Sequence, residues 1–223
     1  MHQPHPLRAC LFDLDGTLLD TLRDLGESMN AVLAARDYPT HPIDAYRYFV
    51  GEGASLLVER SFPEDRRAPD DIRAGLAEYR AVYERCWNVH TRPYDGIPEM
   101  LDVLAARKLT LGILSNKPHR MTIRCVEGYL AAWPFACVLG QRDDVGRKPN
   151  PAGAFEAAHL MHVPPAEVLY LGDTATDMET ARAAGMFAVG ATWGFRPEAE
   201  LCAAGAQAIV HNPREVVSLL AHP

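Results

Sequence analysis

The chain has no C-x-x-C pair and no even set of cysteines from which a disulfide frame could be built. Its five thiols, Cys10, Cys86, Cys125, Cys137 and Cys202, are scattered, which argues against a zinc site and for reduced, cytoplasmic cysteines. No apolar run is long enough to span a bilayer, and Met1-His2-Gln3-Pro4-His5-Pro6 lacks the apolar core of a signal peptide. There is no excess of positive charge: 22 Lys and Arg face 29 Asp and Glu, a net charge of −7, so a nucleic-acid backbone finds little to hold it. Internal repeats and low-complexity segments are missing, and the nine histidines show no ligand spacing. Lysine is absent before Lys108.

What is present fits a soluble globular protein. With 48% hydrophobic and 23% charged residues over 223 positions, the chain can bury a substantial core as one domain with a large insert or as two modest domains. A short apolar strand, Ala9-Cys10-Leu11, leads into Phe12-Asp13-Leu14-Asp15-Gly16-Thr17-Leu18. Beyond it, Leu22, Leu25, Met29, Val32 and Leu33 recur at helical steps until Pro39 and Pro42. A second helical region starts near Asp44, is interrupted by Gly51-Glu52-Gly53 and resumes to Pro63, and a third covers 72–89. Residues 20–91 thus read as an inserted helical subdomain with no convincing strand.

Pro93-Tyr94-Asp95-Gly96 is turn chemistry and marks the return to the main body. From there strands expected at 109–114, 136–139, 168–171, 187–190 and 208–210 alternate with helices at 98–107, 152–161, 178–184 and from Pro213 onward. Another helix falls between the strands at 109–114 and 136–139, and Gly185 suits a left-handed cap. This alternation predicts an α/β fold, a doubly wound parallel sheet with helices on both faces. In such sheets ligands bind beyond the carboxyl ends of the strands.

Three strand ends carry polar groups suited to one reaction: Asp13 and Asp15, then Ser115 and Asn116, then Asp173 and Asp177. Between the last two lies Gly146-Arg147-Lys148-Pro149-Asn150-Pro151, a proline-bracketed loop with a cation. Like charges ~4 Å apart repel by about 4 kcal/mol at an effective dielectric near 20. Asp13, Asp173 and Asp177 gathered in one cleft would therefore need a cation between them, and a phosphate makes the need greater. An all-oxygen ligand set favours Mg²⁺. Asp13, fixed by the strand end, is the expected nucleophile, forming an aspartyl-phosphate. Asp15 is the expected acid/base. Lys148 and Ser115 would neutralise phosphate oxygens, helped by the backbone around Gly16 and Asn116. Each piece alone has a plainer reading. Asp-Gly-Thr is ordinary turn chemistry, Ser115-Asn116 suits a helix cap, Lys148 a solvated surface, and Asp177 the first turn of a helix.

Taken together, Asp13-Leu14-Asp15-Gly16-Thr17, Ser115-Asn116, Lys148-Pro149 and Gly172-Asp173-x-x-x-Asp177 resemble the haloacid dehalogenase-like hydrolase superfamily. The resemblance covers nearly the whole chain and implies a Rossmann-like catalytic core, residues 1–19 and 92–223, with an α-helical cap at 20–91. It implies that Asp13 is both nucleophile and Mg²⁺ ligand, that Asp15 gives its backbone carbonyl to the metal, and that Asp173 is a ligand with Asp177 nearby. Gly16, Thr17, Ser115, Asn116 and Lys148 are the implied phosphate-binding set. A second resemblance, to phosphoglycolate phosphatases, rests on Tyr48-Phe49-Val50-Gly51-Glu52-Gly53-Ala54-Ser55-Leu56-Leu57 and on Thr192-Trp193-Gly194. It makes Arg47, Gly51, Glu52 and Gly53 candidate specificity residues.

The expected function is therefore a Mg²⁺-dependent phosphatase acting on a small phosphorylated metabolite, with 2-phosphoglycolate as leading substrate. A sugar phosphate, a nucleotide or pyrophosphate is the alternative. The chain is expected to act in the cytoplasm as a monomer or homodimer, without nucleic-acid or membrane partners. A dehalogenase or phosphonatase of similar fold would lack the acid/base carboxylate, and no lysine lies at 20–91 for a phosphonatase. A sugar phosphomutase would keep both aspartates, and a non-catalytic phosphate sensor would keep the site without turnover.

Overall fold

A computed structural model describes residues 6–220; the N-terminal stretch weighed above as a leader lies, apart from Pro6, outside them. Six parallel strands, β1 (Ala9–Phe12), β4 (Thr110–Pro118), β5 (Phe135–Gln141), β6 (Val168–Gly172), β7 (Phe187–Ala191) and β8 (Ala208–Val210), form a sheet in the order β5-β4-β1-β6-β7-β8. Alternate residues of the central strands face opposite sides. Cys10, Phe12, Leu169 and Leu171 join one apolar cluster, while Ala9, Leu11, Val168 and Tyr170 join the other. That period of two, in strands apolar at every position, is what a sheet covered on both faces requires. Helices α4 (Ile97–Ala106), α5 (His119–Tyr129) and α9 (Pro213–Leu219) contribute to the first cluster. Helices α6 (Ala152–Met161), α7 (Ala175–Ala183) and α8 (Glu198–Ala203) contribute to the second.

Because β1 pairs with β4 on one side and β6 on the other, successive connections leave it in opposite directions. The crevice at its carboxyl end is the topological switch point. Phe12 is level with Ile113 and with Leu171, so the residues just beyond each emerge along one edge.

The chain between β1 and β4 carries α1 (Leu22–Ala35), α2 (Ala54–Ser61) and α3 (Pro69–Cys86), with 3-10 turns at Ile43–Tyr48 and Glu64–Arg66. Its core, Met29, Tyr46, Leu57, Phe62 and Tyr79, is continuous with that of the sheet. One feature of this insert differs from the sequence reading. Its ends are joined by a small antiparallel ribbon, β2 (Leu19–Asp20) against β3 (Arg92–Pro93), where no strand was expected. A two-residue strand offers no periodicity to detect. The chain is also clamped beside the ribbon by Asp24, whose carboxylate accepts hydrogen bonds from the amides of Val89, His90 and Thr91 and from the Thr91 hydroxyl.

Element bounds shift as well, with β4 running on to Pro118 and α7 starting at Ala175. α3 begins at Pro69, where proline suits the first helical turn. α8 was not anticipated. Gly185, with φ +71°, sits in the left-handed region after α7 as expected.

Candidate active site

Strand β1 delivers Asp13 to the switch point, where its amide bonds to Leu171 O at 2.9 Å and the residue is 6% exposed. The next residues reverse in a tight turn in which Leu18 and Leu19 donate to Leu14 O and Gly16 donates to Leu19 O. Gly16 has φ +90°, and a Cβ there would collide with the Asp173 carboxylate and the Phe195 ring. Glycine is thus needed twice over, for the backbone angle and for the close approach. Gly16→Ala is expected to cost about 2–4 kcal/mol and to cut activity severely; a melting curve and an activity assay on the same sample check both. The Gly16 amide is spent on the turn, so it cannot serve a phosphate.

Asp173 follows β6 and is fully buried, with Oδ1 accepting from the Thr17 hydroxyl (2.8 Å) and Oδ2 from the Phe195 amide (2.8 Å). Thr17, expected to bind phosphate, therefore has its hydroxyl proton committed to orienting Asp173. Asp177 serves α7 as the far half of a capping box, with Oδ2 accepting from the Thr174 amide and hydroxyl. Its Oδ1 accepts from Lys148 Nζ at 2.6 Å and from the Tyr170 hydroxyl at 3.3 Å. The plainer helix-acid reading of Asp177 thus describes one of its oxygens, and the other faces Lys148.

Lys148 is no surface residue. It is buried, and its ammonium reaches Asp177, the Leu114 carbonyl (3.1 Å) and Asp13 Oδ1 (2.9 Å). The peptide that follows it, Lys148–Pro149, is cis. Burial alone works against a charged lysine, but Asp13 and Asp177 outweigh it and hold the ammonium well above its ordinary range.

Ser115 and Asn116 do not cap α5, whose N-cap is Pro118 with no side-chain bond; β4 extends through them, with an irregularity in its pairing to β5 between Leu114 and Pro118. Ser115 accepts from the Lys117 amide (3.2 Å). Asn116 donates to Lys148 O and to Gly51 O and accepts from the Lys148 amide. It thereby ties the lysine loop to the insert.

The three acids Asp13, Asp173 and Asp177 each place one carboxylate oxygen within 4.8 Å of the others. Burial, with the charges of Asp177 and Asp15 added and Lys148 opposing, pushes Asp13 up to about 7. Asp173 is raised well above the carboxylate range by burial and by its two acidic neighbours. Asp13 Oδ1, although near Lys148, receives no directed hydrogen bond and is one of the few buried polar atoms without one. Clustered carboxylates short of positive charge, one with an unfilled lone pair, fit a hard divalent cation.

Asp13 and Asp15 open into a cavity of about 320 Å³ floored by Ser115 and Asn116 and walled by Leu25, Leu57, Tyr79, Tyr83 and Met121. Gly51 and Gly53 line it. Arg47 and Glu52, expected to meet substrate, do not. Arg47 donates to Gly194 O at 2.7 Å and faces Asp44, while Glu52 is paired with Arg60. Lys117, a residue the sequence reading passed over, is buried at the cavity wall and holds Asp15. Its signal was its rarity: the chain has three lysines, and two of them lie in this site.

A buried acid triad at the switch point of a doubly wound sheet, with a helical insert over it, defines a hydrolase fold of the capped α/β type. Residues 10–191 match the family model of the haloacid dehalogenase-like hydrolases, and the chain belongs to that family. It is 30% identical over 223 residues to a phosphoglycolate phosphatase of Nitrosospira multiformis, covering 99% of this chain and 98% of that one. It is 34% identical over 220 residues to an N-acetylmuramic acid 6-phosphate phosphatase of Pseudomonas aeruginosa, covering 96% and 95%. A crystal structure from Lactobacillus delbrueckii subsp. bulgaricus superposes with a TM-score of 0.90 at 25% identity, over 97% of this chain and 99% of that one.

Proposed function

We propose that this chain is a Mg²⁺-dependent phosphatase that hydrolyses a small phosphomonoester through an aspartyl-phosphate on Asp13. The observation that carries the reading is the placement of Asp13. It is buried beside Lys148, within ligand reach of Asp173 and Asp177, and open to the cavity. Asp13, Asp173 and the Asp15 backbone carbonyl would hold the ion, with Asp177 nearby. When bound, Mg²⁺ neutralises the acids and the incoming phosphate.

In the first step an Asp13 oxygen attacks phosphorus and the ester P–O bond breaks, while Asp15 gives its proton to the departing oxygen. In the second, water attacks the same phosphorus and returns its proton to Asp15, freeing Asp13 and inorganic phosphate. Lys148 keeps Asp13 aimed and offsets its charge; Ser115 and the amides of Leu14 and Asp15 face the phosphate oxygens. The ribbon of β2 and β3 is where we place the boundary between catalytic core and cap.

Among substrates, 2-phosphoglycolate is the leading reading, supported by the cap segment around Gly51 and Gly53 and by the names of several relatives. A sugar phosphate is the second reading, favoured by a cavity of about 320 Å³, which has room for a body larger than two carbons. The deciding measurement is kcat/KM with Mg²⁺ across 2-phosphoglycolate, N-acetylmuramic acid 6-phosphate, glucose 6-phosphate, nucleotides and pyrophosphate. We expect 2-phosphoglycolate to lead by about tenfold or more, a transition-state difference near 1.4 kcal/mol; a lead for either sugar phosphate replaces it with the second reading. Turnover that needs a bis-phosphorylated sugar would point to a mutase. No turnover of any ester, p-nitrophenyl phosphate included, would leave only a phosphate sensor.

A cytoplasmic location is part of the same proposal, supported by the scattered, unpaired cysteines. No helix among the described residues is long and apolar enough to cross a membrane.

A further inference from the structure

We infer that Lys117 is a positioning residue for the Asp15 carboxylate, and that Tyr83 of the helical insert completes the hold. Lys117 Nζ donates to Asp15 Oδ1 at 2.9 Å, to Asp15 Oδ2 at 3.0 Å and to the Tyr83 hydroxyl at 2.8 Å. An ammonium has three N–H donors, so all are spent and none is left for a phosphate. The Lys117 side chain is 3% exposed, against 17% for Asp15. The lysine is therefore the fixed partner and the carboxylate the movable one.

Its own support comes from two directions. The stem leaves the end of β4, and the charge lies 4.7 Å over the Tyr83 ring. That ring stacks on Tyr79 at 5.8 Å and an interplanar angle of 10°. Both tyrosines belong to α3. Asp15 is thus held by a chain of contacts that is complete only while α3 lies against the end of β4. Without it, a partly exposed side chain on a turn is free to take other rotamers, and proton transfer depends on heavy atoms meeting within hydrogen-bond reach.

The inference rests on the phosphatase reading and goes beyond it in a testable way. Proton donation matters for an alkoxide leaving group and hardly at all for nitrophenolate, and kcat/KM reports the steps up to departure of that group. Lys117→Met is expected to lower kcat/KM about 10²-fold for the best alkyl phosphomonoester of the panel above, and less than about fivefold for p-nitrophenyl phosphate. Tyr83→Phe keeps the ring and the lysine, so it carries the test should Lys117→Met fail to fold; the same selectivity is expected at about a tenth of the size. Equal losses on both substrates, or no loss on either, would overturn the positioning role while leaving the phosphatase standing. Wild-type protein that turns over neither ester overturns both.

Discussion

Asp13→Asn is expected to remove turnover, by about 10⁴-fold or more, while the protein stays folded and becomes more heat-resistant at pH 8 without metal. An amide has the shape of the carboxylate but cannot attack phosphorus, and the backbone bond from residue 13 to Leu171 O is untouched. The stability gain follows from the direction in which the site shifts this group. Burial, aided by Asp177 and Asp15 and opposed by Lys148, pushes Asp13 up to about 7, whereas an unfolded aspartate titrates near 4. Between those values the folded protein holds a proton that the unfolded chain has released. Wild-type stability therefore falls as pH rises from about 4 to about 7, and the loss is complete above that. The asparagine variant lacks this slope. Melting curves in EDTA at pH 5 and pH 8 should show its advantage widening with pH. Substantial residual turnover would remove Asp13 from the role of nucleophile, and an advantage independent of pH would show that its charge is not strained.

The parts of this site legible in the sequence are those that strand order makes into neighbours. Asp13, Ser115 and Asp173 each follow a fully apolar run, and parallel pairing that sets Phe12 level with Ile113 and Leu171 brings the three strand ends together. Apolar runs punctuated by acids are a local pattern, so they could be read. Lys117 could not, because what makes it matter is burial against Asp15 and Tyr83, 102 and 34 positions away. Direction was equally hidden. Arg47 and Glu52 lie beside the two cavity glycines in sequence, yet their charges turn to Gly194 and Arg60. Thr17 shows the same limit at shorter range: its place after Gly16 suggested a phosphate contact, and its hydroxyl proton goes to Asp173 instead. Residue type and spacing locate a side chain on the sheet edge; the competing partners that claim it are set by the tertiary fold.

Removal of divalent cations is the other large effect expected. EDTA should bring turnover to background and Mg²⁺ should restore it. Asp13, Asp173 and Asp177 are all buried, and the ammonium buried among them is that of Lys148. Lys117 Nζ is turned to Asp15 and Tyr83 instead. Three carboxylates against one ammonium are short of positive charge before a phosphate enters, and burial first, then the neighbouring acids, holds both Asp13 and Asp173 above the usual carboxylate range. Protons and Mg²⁺ then compete for the same relief. The Mg²⁺ concentration giving half-maximal activity should climb as pH drops below about 7, where Asp13 takes up its proton. Saturating Mg²⁺ should also stabilise the fold, by about 2.7 kcal/mol at a hundred times its Kd, or a rise in Tm of roughly 5–10 °C for a chain of this length. Asp173→Asn, which removes one charge while leaving an oxygen for Thr17 or Phe195, should need far more Mg²⁺ for the same gain. Full activity in EDTA, or a melting temperature that Mg²⁺ does not move, would show that the buried acids are held apart by the protein alone.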